Sequence, residues 1–63
     1  MTNKEILFAI KIALEQKEKG FHRNARRFFQ KATNGISSDK FNRHTVQGKL
    51  IFEYWNEAFD RIV

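Results

Sequence analysis

Apolar residues repeat with helical spacing in three stretches of the chain. The sharpest is 21–32, where Phe21, Ala25, Phe28, Phe29 and Ala32 stand at i, i+4, i+7, i+8 and i+11. That is one face of a 3.6-residue helix. The other face holds His22, Arg23, Arg26, Arg27, Gln30 and Lys31. Gly20 stands just before it, where a preceding helix needs a residue that tolerates positive φ. The stretch therefore reads as the second arm of a helical hairpin.

The first arm opens with Thr2 and, three residues on, Glu5, the pattern of a capping box. A helix over about 3–19 follows, with no proline to break it. From Ile6 to Leu14 it is apolar nearly all the way round, which predicts burial on more than one side. From Glu15 to Lys19 it is charged and reads as a solvated end, its lysines placed where the helix dipole favours them. The second helix, about 21–33, is expected to stop at Asn34-Gly35, because both residues tolerate the left-handed region.

A third helix is expected over about 39–62. Ser37, Ser38 and Asp39 are its candidate caps, with Thr45 a later one, and Gly48 costs roughly 1 kcal/mol inside it. On a helical wheel Leu50, Ile51, Phe52, Tyr54, Trp55, Ala58, Phe59 and Ile62 fill an arc of roughly 200°. A small hairpin leaves part of that arc uncovered. Phe52, Trp55, Phe59 and Ile62, with Ile6 and Ile10 from the over-apolar first helix, are the candidates for a protein interface, since aromatic anchors dominate interface centres. The alternative is that they complete a tight three-helix core. The expected fold is all-α: one domain of 63 residues, a helical hairpin plus a longer C-terminal helix.

Size sharpens the question of partners. A core this small rarely yields more than about 3–5 kcal/mol, and disulfides, metals or association make up the difference. There is no cysteine, and two histidines, His22 and His44, are too few for a metal site without carboxylate help. Association remains, and a homodimer through the third helix is the simplest closed solution. No run reaches the ~20 apolar residues that span a bilayer, and no signal peptide is evident, so a cytoplasmic protein away from membranes is expected.

The net charge of +5 lies entirely in the first half: residues 1–35 hold eight Lys or Arg against three Glu, and residues 36–63 hold four against four acids. Arg23, Arg26, Arg27 and Lys31 share one side of the second helix, and arginine forks suit carboxylate or phosphate. That face is open to three readings: solvated surface, docking to an acidic protein, or weak, salt-sensitive binding to nucleic acid or ribosome. No phosphate-cradling loop, zinc motif or catalytic triad is present, and the acidic pairs Glu15/Glu18 and Glu53/Glu57 fall on expected wet faces. Neither an enzyme nor a cofactor is expected.

The spacing Ala9-x3-Ala13 … Gly20-x4-Ala25-x3-Phe29-x2-Ala32 is similar to a single tetratricopeptide helix pair, in which small residues let two helices approach. Residues 9–33 more closely resemble the AraC negative regulators, through Ala9, Ala13, Glu15, Gly20, Ala25, Phe29 and Ala32. Residues 19–28 resemble the PerC-like regulators. The likeness thins past residue 35, where Thr45 stands in place of that family's tryptophan and its cysteine is missing. The resemblance implies a small bacterial regulator, connected with virulence regulation, that binds an AraC/XylS-type activator and represses its action. It assigns no binding residue.

Overall fold

The computed structural model describes all residues, 1–63, as three helices with no strand: α1 Asn3–Glu18, α2 His22–Ile36 and α3 Val46–Ile62. The all-α, three-helix expectation holds, with 76% of the chain helical. No helix is long and apolar enough to cross a membrane.

The local signals at α1 act as read. Thr2 Oγ1 accepts from the Glu5 amide at 3.2 Å, and Glu5 Oε1 accepts from the Thr2 amide at 3.1 Å, closing the capping box. At the other end Gly20 takes φ +86°. The Gly20 amide donates to Lys17 O at 3.0 Å and the Phe21 amide to Gln16 O at 2.9 Å. Those two bonds are a Schellman motif, which turns the chain straight into α2.

α1 is the central helix and packs on both others. Its buried Ile6, Ala9, Ile10 and Ala13 join Ala25, Phe29 and Ala32 of α2 and Ile51, Ala58 and Ile62 of α3 in one core. The nearly all-round apolar character of 6–14 is thereby explained within the chain. Leu7 and Leu14 are half-buried against the core, and of the apolar residues of this run Phe8 alone is left largely outside, 64% exposed. α1 and α2 run antiparallel, with Asn24 near Gln16 and Gly35 against Ile6. α3 returns antiparallel to α2, since Thr33 meets Trp55 and Phe29 meets Phe59.

Two boundaries differ from the expectation. α2 does not stop at Asn34-Gly35 but runs to Ile36. Gly35 is buried, and a β-carbon there would lie 2.6 Å from Ile6 Cγ1 and 2.9 Å from Met1 Sδ. This glycine lets two helices touch and does not end one. α3 begins at Val46, not near 39, so Ser37, Ser38 and Asp39 do not cap it. Thr45 is its N-cap: Oγ1 accepts from the Gly48 amide at 2.9 Å and donates to Asn42 O at 3.0 Å. The intervening segment folds back on the first turn of α3, where a β-carbon at Gly48 would run into the Asn42 carbonyl and lie 2.8 Å from Arg43 Cα. Helix α3 passes unbroken through Gly48 for the same reason the glycine is there: backbone lies against it.

Candidate functional site

The interface candidates divide sharply. Ile6 and Ile10 sit wholly in the core of the single chain and offer nothing to a partner, while Ile62 is buried in the same core with only its edge, 6% of its surface, left open. This corrects their assignment to an external surface: α1 lies between the other two helices, so its isoleucines are consumed by α2 and α3. Phe52, Trp55 and Phe59 instead form a line along α3 that leans on α2.

Trp55 is half-buried and stacks on Phe29 at 5.3 Å, with Phe59 at 5.3 Å and Phe52 at 5.9 Å along its own helix. Its indole Nε1 donates to Thr33 Oγ1 at 2.9 Å. The Thr33 hydroxyl donates in turn to Phe29 O, also at 2.9 Å. Trp55 is therefore tied into the chain, while Phe59 keeps 43% of its surface exposed. Sequence periodicity placed the aromatics on one flank but carried no sign of Thr33, the group that fixes the indole.

An open groove runs between α2 and α3 here. Arg26, Gln30 and Thr33 form one wall and Trp55, Phe59 and Ile62 the other, each set at i, i+4, i+7, with Phe29 on the floor and Val63 at the end. No acidic side chain lines it.

The basic face adjoins this groove. Arg23, Arg26, Arg27 and Lys31 are all exposed. The chain's two ion pairs are Lys19–Glu15 and Arg61–Glu57, both at 3.0 Å, so none of the α2 cations has a carboxylate partner. Lys31 lies over the Phe28 ring at 5.2 Å. α2 contains no acidic residue at all, and its N-cap, Phe21, makes no side-chain capping bond. Arg23 thus stands in the first turn, where the helix dipole disfavours positive charge.

Compared with known protein families, curated proteins and solved structures, the chain matches none.

The remaining surface offers less. Leu50 and Tyr54, 47% and 37% exposed and four residues apart on α3, form a second apolar strip, with Leu50 beside Leu7 of α1. His22 Nδ1 lies 3.1 Å from Lys17 Nζ, and His44 donates its backbone amide to Asn42 Oδ1 at 2.9 Å. No three His, Asp or Glu side chains converge. The carboxyl pKa of Glu5 is lowered by the Thr2 amide and hydroxyl that bond to it.

Proposed function

We propose that this chain is a small protein-binding regulator of the cytoplasm that captures a transcription activator of the AraC/XylS type and represses its action. The observation that carries the binding reading is the meeting of an exposed aromatic flank with unpaired arginines at the α2/α3 groove. Aromatic and arginine side chains are the residue types that dominate protein interfaces. The target class comes from the resemblance of residues 9–33 to the AraC negative regulators, whose matched positions Ala9, Ala13, Ala25, Phe29 and Ala32 are here the seam between α1 and α2. A homodimer belongs to the same reading, with the Leu50/Tyr54 strip of α3 against its symmetry mate.

The test is capture of candidate activators by the tagged chain, with and without nuclease, alongside an activator-dependent reporter. The expected outcome is nuclease-resistant capture and a silenced reporter, both weakened by Phe59→Ser. Capture that nuclease abolishes would move the function to nucleic acid or ribosome through Arg23, Arg26, Arg27 and Lys31. Against that alternative, the cations are confined to one side of the groove: α3 carries Glu53, Glu57 and Asp60 against Lys49 and Arg61, with Arg61 paired to Glu57.

A further inference from the structure

We propose that the α2/α3 groove takes one amphipathic helix of a partner protein, and that this helix is acidic along the edge lying on α2. The inference rests on the reading of the chain as protein-binding and names the chemistry of its occupant. Three observations fix that chemistry.

The groove has the form of a missing helix. Its walls are helical ridges of i, i+4, i+7 residues, two turns long, or about 10 Å at 1.5 Å per residue. A helix laid between two helices is the ordinary way to cover such ridges. The floor and the α3 wall ask for an apolar stripe: Phe29, Trp55 and Phe59 form a continuous stack with one side of Phe59 open. The hydroxyl of Thr33 is already engaged as donor and acceptor and the Gln30 amide nitrogen already donates to Asn34 Oδ1, so the polar groups of the α2 wall are partly satisfied within the chain. The α2 edge asks for carboxylates. Arg26 borders the groove, Arg23 and Arg27 stand beside it on the same helix, and none has an anion within the fold.

Other occupants fit less well. Two copies meeting through this groove would bring arginine to arginine, because no acid lines it. A nucleic-acid strand would find cations along α2 but none on the α3 wall of the groove, which is Trp55, Phe59 and Ile62.

The experiment is a display selection against the purified full chain in about 150 mM salt. The library is a helical peptide with leucines fixed at i, i+3, i+4 and i+7 and the flanking positions randomised. Binding of the winners is then followed through Trp55, the single tryptophan of the chain, which sits in the groove wall. The expected result is enrichment of Asp and Glu along one edge. Arg26→Glu should weaken the consensus peptide at least tenfold, and a peptide with lysine at those acidic positions should restore binding to Arg26→Glu. Arg26 is exposed and makes no ion pair, so this variant keeps the fold, and circular dichroism checks that it does. Selected peptides with a neutral or basic edge, or no peptide enriched over a scrambled-stripe library, would overturn the proposal. So would displacement of the peptide from Trp55 by a 20-nucleotide single strand, or self-association that Arg26→Glu disrupts. If an AraC-type activator is captured and Arg26→Glu makes no difference, the groove inference fails and the regulator reading stands. If acidic helices are selected and no activator is captured, the reverse holds.

Discussion

Single residues decide how closely the helices approach. Gly35 is the sharpest case, because alanine there has two opposed effects. It gains roughly 1 kcal/mol of helix propensity. It also drives a methyl into Ile6, whose side chain is wholly buried and has nowhere to go, at a typical overpacking cost of about 1–3 kcal/mol. Met1 is exposed and gives way, so the clash with Ile6 decides the sign. Gly35→Ala is therefore expected to lower stability by about 1 kcal/mol in urea unfolding, and a stabilised variant would contradict the close approach of α1 and α2. Glu5 makes a different demand. Its carboxyl pKa lies below the ordinary value of 4.5 because the ionised form accepts from the Thr2 amide and hydroxyl. A lowered folded pKa means stabilisation that is complete above the ordinary value and lost as pH falls through the folded one. Thermal melts from pH 6 down to 2.5 should show the wild type losing stability across that acid range more steeply than Glu5→Gln. Equal slopes would remove the capping box from the account.

At the scale of elements, α2 is the helix whose charges find no carboxylate partner within the fold. Arg23 opposes the dipole in the first turn and makes no ion pair, so removing it costs the fold nothing. Arg23→Glu with Arg27→Glu is expected to raise stability slightly, by about 0.5 kcal/mol from the improved first turn. The same double variant should slow association with a protein partner through lost electrostatic steering. Chemical denaturation and stopped-flow binding read the two effects separately. A loss of stability would show that the arginines are structural after all. If the target were duplex DNA, each lost phosphate contact would instead lower the slope of log K against log salt by about 0.9.

For the whole molecule the issue is what covers its apolar surface. The chain exposes 4739 Å², against ~4,250 Å² for a compact monomer of 7.5 kDa. The body is elongated, 33 × 17 × 17 Å, and Phe8, Phe59, Leu50 and Tyr54 are among the large apolar side chains it leaves exposed. A homodimer through α3 is expected to appear as a mass above 7.5 kDa in sedimentation at tens of micromolar, with a melting temperature that rises with concentration. Leu50→Lys with Tyr54→Ser should return it to monomer without unfolding it, since both side chains lie half outside the core. A 7.5 kDa species up to millimolar concentration would refute the dimer.

Features that depend on neighbours a few residues apart can be read from the order of residues. The Thr2/Glu5 box, the turn at Gly20 and the apolar stripe of α2 are short-range matters of hydrogen bonding and helical period, and each is legible in the order of residues. The basic face of α2 was legible for the same reason, while the absence of any carboxylate from another helix beside it was not. Tertiary structure alone decided the rest. Asn34-Gly35 carries a local stop signal, but burying Gly35 against Ile6 outweighs it and α2 continues. Ser37 to Asp39 offers caps, but the return of Asn42 and Arg43 onto Gly48 leaves Thr45 as the one that serves. The apolar surplus of Ile6 and Ile10 looked external until α1 was seen lying between two helices. A pattern along the chain gives the direction of a side chain about its own helix. Which direction meets another helix, and which stays open as the Phe59 and Arg26 groove does, is set by contacts between residues far apart in the sequence.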